Sequence, residues 1–253
     1  MALINRPRPP IGEDENPYWM SFSDLMSGLL IVFILAAVAL ILELTQKSMV
    51  WDEILEQVKA AEDARDELVG EIQRELEEQG IQVIINDGTS VITIPERQLE
   101  FASAEFEIPQ DPETRDVVRI IGEVLNIALR KGNRVSYLDT VFVEGHTDCE
   151  NFEDPRIKGN WGLSTFRAIS VWQSWITSGT SESIPLDDLK NVNNFPLFSV
   201  SGYAATRPAP GTTDVLCEKQ DDDILGKNRR IDLRFTVRRP SLEDYEAFRE
   251  DLQ

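Results

Sequence analysis

From Leu25 to Leu42 the chain runs through eighteen residues without a charged side chain. No other stretch of the sequence is both as long and as apolar. With Phe22 and Leu44 extending its surface, the run is long enough to cross a hydrocarbon core as a helix, and the span is placed at residues 21–44. The architecture that follows is a chain anchored once, with a polar remainder. Ala37-Val38-Ala39 offers a small-x-small cleavage site, but the apolar run continues past it through Leu40-Ile41-Leu42. Glu13, Asp14 and Glu15 also stand where a signal peptide carries a clean basic cluster. The segment therefore reads as an uncleaved anchor behind a tail of residues 1–20.

Asp24 lies at the mouth of this run, in Trp19-Met20-Ser21-Phe22-Ser23-Asp24-Leu25-Met26-Ser27-Gly28. An ionisable side chain at the edge of hydrocarbon costs on the order of 2–3 kcal/mol, so such a residue is by default a functional candidate. The other reading is an interfacial N-cap, a position that favours Asp. Position alone leaves the two open. Ser21 and Ser27 stand three residues either side of Asp24, hence on one helix face. They can complete an oxygen shell for sodium or hydrogen-bond the neutral acid.

The charge balance excludes several partners. Asp and Glu number 45 against 25 Lys and Arg, a net charge of −20, and nearly all of the excess follows the apolar run. Nucleic acid calls for a basic footprint, and anionic lipid surfaces for the same. Orientation cannot be read from the flanks, since Arg6 and Arg8 before the span match Lys47 and Lys59 after it.

Residues 45–79 have the composition of a helical stalk, rich in Glu, Ala, Gln, Lys and Leu and free of proline. Trp51, Ile54, Val58, Ala61, Leu68 and Ile72 follow alternating steps of three and four, a heptad seam that predicts a parallel coiled-coil dimer; a lone amphipathic helix lying on its own domain fits the same pattern. The alternation then changes. Residues 81–85 and 90–94 flank Asn86-Asp87-Gly88-Thr89, a hairpin signal. A helix is expected from Asp111 to Arg130, a buried strand at 141–143, a helix from Asn160 to Ile176, strands at 198–200 and 231–237, and a polar helix over 239–253. Strands and helices in this order predict an α/β sandwich across residues 80–238, with helices on a small sheet.

Four motifs in this region occur in a definite order: Gly145-His146-Thr147-Asp148 after a strand, Asn160 with Leu163-Ser164 and Arg167-Ala168, Gly202-Tyr203 with Arg207-Pro208, and Asn228-Arg229-Arg230-Ile231. Together they resemble the OmpA-like peptidoglycan-binding domain. The resemblance implies that Asp148 and Arg167 grip the diaminopimelate of a stem peptide, with Asn160 and Leu163 shaping the pocket. The chemistry agrees. Diaminopimelate presents an ammonium and a carboxylate on one carbon, and a guanidinium binds a carboxylate through two parallel hydrogen bonds that Lys cannot copy. The alternative is a structural ion pair between Asp148 and Arg167. His146, the only histidine, reads as a turn or packing residue, and no nucleophile–base pair or metal cluster appears that would make this an enzyme. The segment from Cys149 to Gly159 is longer than the corresponding stretch in that family.

An acid-bearing N-terminal helix ahead of such a domain resembles the MotB-type B subunit of ion-driven stators. That resemblance implies that Asp24 carries protons or sodium ions in a channel formed with a multi-span MotA-like A subunit, five copies around two of this chain. It also places the chain in a bacterial inner membrane, N-terminus cytoplasmic and domain periplasmic. The regular acidic stalk, the extended loops at 150–159 and 181–196 and the run Asp221-Asp222-Asp223 look most like ZorB, the B subunit of the Zorya anti-phage defence system. A flagellar-type stator subunit and a purely structural membrane-to-wall tether are the alternatives. No cofactor is implied beyond the transported ion. Two cysteines in a domain assigned to an oxidising compartment invite a disulfide, Cys149 to Cys217.

Overall fold

The computed structural model describes residues 17–86, 88, 90–177, 185–212, 217–241, 244 and 246. Most of the expected N-terminal tail, nearly all of the C-terminal helix expected after Pro240, and Asp87 and Thr89 of the expected hairpin turn lie outside them. The chain forms two compact units, Leu55–Ser241 and the remainder.

One helix, α1 (Pro17–Glu78), carries both the apolar run and the stalk. Proline at the opening is well placed, because its missing N–H would have no partner there. Along the apolar run the large side chains point outward, Leu29, Phe33 and Ile41 among them. The segment is long and apolar enough to cross a membrane, with a mean hydropathy of 3.0. A helix satisfies its own backbone groups, which hydrocarbon demands.

The larger unit is the expected α/β sandwich. Among the described residues its five strands are β1 (Ile84–Asn86), β2 (Val91–Pro95), β3 (Leu138–His146), β4 (Phe198–Gly202) and β5 (Arg230–Val237), in spatial order β1-β2-β5-β3-β4. Only the β3–β4 pair is parallel. Its helices are α2 (Glu96–Leu99), α3 (Pro112–Arg130), α4 (Asn160–Thr177) and α5 (Asp222–Asn228). Asp111 caps α3 by accepting from the Thr114 amide at 2.8 Å, and Asp221 caps α5 by accepting from Ile224 at 2.9 Å. The run of three aspartates is therefore a helix start.

Strand alternation divides the sheet into two faces. Ile92, Ile94, Val141, Val143, Ile231, Leu233 and Phe235 form one, all buried in the main core with Val118, Ile121 and Leu125 of α3. Thr93, Glu144, His146, Asp232 and Arg234 occupy the other. Gly145 lets β3 approach α4, since a Cβ there would overlap the Ser164 carbonyl oxygen.

The stalk expectation is corrected over its second half. Ala61, Leu68 and Ile72, expected on a seam between two copies, are 4%, 0% and 0% exposed within one chain, and Val69 and Leu76 are buried beside them. Leu68, Val69, Ile72 and Leu76 belong to the domain's own core. Spacing of three and four reports an apolar stripe without saying what covers it. The domain thus begins before residue 80. Gly80, at φ 80°, ends α1 as the Ile81 amide bonds back to the Leu76 carbonyl at 2.8 Å, turning the chain into the sheet. Leu68→Ala is expected to lower the stability of the full chain by about 3 kcal/mol, the usual scale for a leucine deleted from a closed core. Denaturant unfolding at two protein concentrations checks this: a loss that grew on dilution would return Leu68 to an interface between copies.

Candidate functional site

The expected binding residues converge at the end of β3. Beyond His146 the pairing with the chain after β4 continues, the Tyr203 amide bonding Gly145 and the Thr147 amide bonding Ala204. Asp148 is thereby fixed two residues past the strand. Its Oδ1 accepts from the Glu150 amide at 3.1 Å and its Oδ2 from Arg229 Nη1 at 2.8 Å. On α4, Asn160, Leu163 and Arg167 are spaced by three and four and share a face. Asn160 Nδ2 bonds the Glu150 carbonyl at 2.7 Å, tying the helix start to the loop after Asp148. These residues line a cavity of about 410 Å³ together with Glu96, Phe101, Asp222 and Arg229.

The alternative of a structural ion pair is not realised: Asp148 and Arg167 do not pair with each other, and both are buried, 8% and 5% exposed, at the cavity floor. Arg167 is held by two backbone carbonyls, Glu105 at 2.9 Å and Ala102 at 3.3 Å, with its guanidinium 5.0 Å from the Phe101 ring centre. Burial lowers its pKa from the ordinary value, opposed by the charges of Glu96 and Asp148. Among the described residues no carboxylate bridges to Arg167, so an anionic ligand group has a buried cation to meet. A carboxylate entering here would be charge-assisted in a dry setting.

Arg229 is the residue that motif reading passed over. Its Nε lies 2.6 Å and 2.7 Å from the two oxygens of Glu96, and its Nη1 reaches Asp148. Burial opposes its charge, but its hydrogen bonds to Asp148 and Glu96 outweigh that and hold its pKa above the usual value. The residue was visible in Asn228-Arg229-Arg230-Ile231; its partners were not, because they come from β2's end and β3's end. The resulting floor alternates acid and base: Glu96, Arg229, Asp148, then Arg167. A carboxylate has about four acceptor positions, and Asp148 spends one on Glu150 and one on Arg229. Acceptor capacity remains for a ligand ammonium beside the guanidinium that takes its carboxylate.

Cys149, next to Asp148, is joined to Cys217 by a disulfide with 5.8 Å between Cα atoms. Cys217 opens a short 3₁₀ turn, Cys217–Lys219, and the chain then enters α5 and Arg229. The bridge therefore ties the two segments that supply the acid and its guanidinium.

His146 packs away from this cavity. It stacks on Tyr203 with ring centres 5.4 Å apart, and its Nε2 sits 3.2 Å from Asp232 without the alignment of a hydrogen bond. Glu144, His146 and Asp232 bring three potential metal donors within 4.8 Å of one another. Each carboxylate already faces a guanidinium, Arg234 at 3.1 Å from Glu144 and Arg230 at 3.0 Å from Asp232. Burial works to raise the Asp232 pKa, but His146 and Arg230 together hold it below the ordinary value. The arrangement is an internal ion-pair network suited to holding β3 against β5.

Asp24 lies inside α1, seven residues beyond Pro17, and so is not the cap of this helix. Ser27, three residues on, shares its face, while the side chain of Ser21 lies outside the described residues.

No family model matches the chain, and no curated relative does. Among solved structures it is similar to a putative MotB like protein from Desulfovibrio vulgaris, at 16% identity over 72% of this chain and 99% of that one, with a TM-score of 0.48. A second is the periplasmic domain of Helicobacter pylori MotB, residues 90–256, at 19% identity over 70% and 93% of the two chains and a TM-score of 0.48. A third is the cell wall anchor of the T6SS from Pseudomonas aeruginosa, at 23% identity over 66% and 97%, with a TM-score of 0.44.

Proposed function

We propose that this chain is the B subunit of an ion-driven membrane motor, anchored to peptidoglycan by its α/β domain. The observation that carries the anchoring is the cavity floor, where Asp148, braced by Arg229, stands in one site with a buried Arg167 that no carboxylate among the described residues bridges. Those charges match the ammonium and carboxylate borne on one carbon of diaminopimelate. Arg167 takes the ligand carboxylate, Asp148 the ammonium, and Asn160 and Leu163 hold the walls. Asp24 carries protons or sodium ions in a channel shared with a multi-span MotA-like partner, five copies around a dimer of this chain. The motif resemblance places the N-terminus in the cytoplasm and the domain in the periplasm of a bacterial inner membrane. Within that class the enlarged loop after Cys149 and the acidic start of α5, whose Asp222 lines the cavity, favour a Zorya-type defence subunit. A plain membrane-to-wall tether needs Asp24 only as a cap, and its place well inside α1 argues for the ion-carrying role.

The anchoring is tested with the full chain in detergent and diaminopimelate-containing sacculi. Asp148→Asn and Arg167→Lys keep size or charge while removing the paired geometry. Each is expected to reduce retention on sacculi about tenfold or more, in line with the loss of a charge-assisted, bidentate contact of 1.5–3 kcal/mol. A folded double variant retained as well as the unaltered chain would end the anchoring proposal.

A further inference from the structure

Beside the stem-peptide cavity lies a second opening of about 590 Å³, and the two share Asn151, Phe152 and Asn160 as walls. Its outer face is Trp161, the second residue of α4, which is 54% exposed. Tryptophan is well buried on average, and here the indole stands in solvent beside an opening large enough to take a sugar ring.

The groove is built rather than loose. Asp154 accepts backbone hydrogen bonds from Ile157 and Gly159 at 3.2 Å and 3.1 Å, and a Cβ at Gly162 would overlap the Ile157 carbonyl oxygen. The loop is thus pressed against the start of α4. Its charges are balanced in sign: Asp154 pairs with Arg156 at 2.6 Å, and Glu153, which accepts from Asn151 at 2.8 Å, shares the rim with Lys158. What remains is an aromatic plate bordered by amides, a hydroxyl at Thr206 and the Lys158 ammonium. A wall of that kind suits a neutral, ring-shaped, hydroxyl-rich ligand better than an ion.

We infer that this groove is a glycan subsite, in which an amino-sugar ring of the disaccharide bearing the stem peptide stacks on Trp161; the inference rests on the peptidoglycan reading of the adjoining cavity. One face of a pyranose presents C–H bonds, whose positive edges are attracted to the negative face of an aromatic ring. Stem peptides are covalently attached to such a sugar, so a ligand seated on Asp148 and Arg167 has a sugar to place nearby, and the shared wall of Asn151, Phe152 and Asn160 leads from one opening to the other. A preformed groove spends little binding energy on ordering itself.

The test uses the full chain in detergent and two calorimetric probes: a disaccharide-tetrapeptide carrying diaminopimelate, and the same tetrapeptide without sugars. Trp161→Ala is expected to weaken the sugar-bearing probe by about tenfold, the scale of an aromatic stacking contact with its buried area, and to leave the bare peptide unchanged. Trp161→Phe, which restores a ring, is expected to recover most of the loss. Equal weakening of both probes, or an unaltered affinity for the disaccharide form, would overturn the subsite. Asp148→Asn separates the two ideas. If it spares both probes while Trp161→Ala still weakens only the sugar-bearing one, the stem-peptide reading fails and the sugar subsite stands.

Discussion

Replacing Asp24 by Asn is expected to bring ion flux through the assembled membrane complex to background while leaving the complex itself intact. The two side chains have nearly the same shape, so helix packing has no reason to change. Only the ability to alternate between a charged and a neutral form is lost. That alternation is the whole of the proposed mechanism. A carboxylate in the bilayer costs about 2.5–3.5 kcal/mol when charged, and each charge crossing the membrane releases about 2.3 kcal/mol per 100 mV. The two magnitudes are comparable, so protonation or cation capture at Asp24 can be driven in either direction by an ordinary membrane potential. An amide takes neither step. The measurement is flux into liposomes holding this chain and its A-type partner, alongside co-purification of the two. A variant that assembled and still conducted would remove Asp24 from the ion path.

The second large effect is expected at the disulfide. Cys149 and Cys217 are separated by 68 residues, and on the chain-entropy model closing such a loop stabilises the folded state by about 4 kcal/mol. Cys149→Ser should therefore lower the stability of the domain by roughly that amount, with the denaturant slope little changed. The bridge also fixes the segment after Asp148 to the segment before Arg229, so the same variant should weaken retention on sacculi even where the domain remains folded. Reductant supplies the control: it should destabilise the unaltered chain and leave Cys149→Ser as it was. If reductant moved neither protein, Cys149 and Cys217 would be free thiols in solution.

The parts of this molecule that the sequence announces are those set by local pattern. The uncharged run from Leu25 to Leu42 is long and apolar enough to cross a membrane as a helix, and the apolar positions of α3 and of β5 report their buried faces directly. The motif residues Asp148, Asn160, Leu163 and Arg167 do meet in one cavity. What stayed hidden depends on register between distant segments. That Arg229 braces Asp148 follows only once β5 lies antiparallel to β3 with Arg230 opposite His146. Glu96 enters because β2 borders β5, bringing α2 to the same floor. Leu68 and Ile72 were read onto a seam between copies for a similar reason: an apolar stripe has no address written on it, and here their own domain claims it.

The place of β5 in the sheet bears on how this chain comes to be. Among the described strands it is the last made, yet it lies in the middle, between β2 and β3. The Thr93–Asp232 contact across it joins residues 139 positions apart. Until Arg230–Val237 is delivered, β2 and β3 each present an open edge, and no partial sheet resembles the finished one. Nonlocal pairing of this kind is slow, and bare edges meanwhile invite the wrong partners. A chain cut short before residue 230 loses its central strand, not an ornament at the rim. Arg229 arrives with that strand, so the cavity floor and the closed fold are completed in the same event. A nascent chain has no complete cavity floor before that strand is in place.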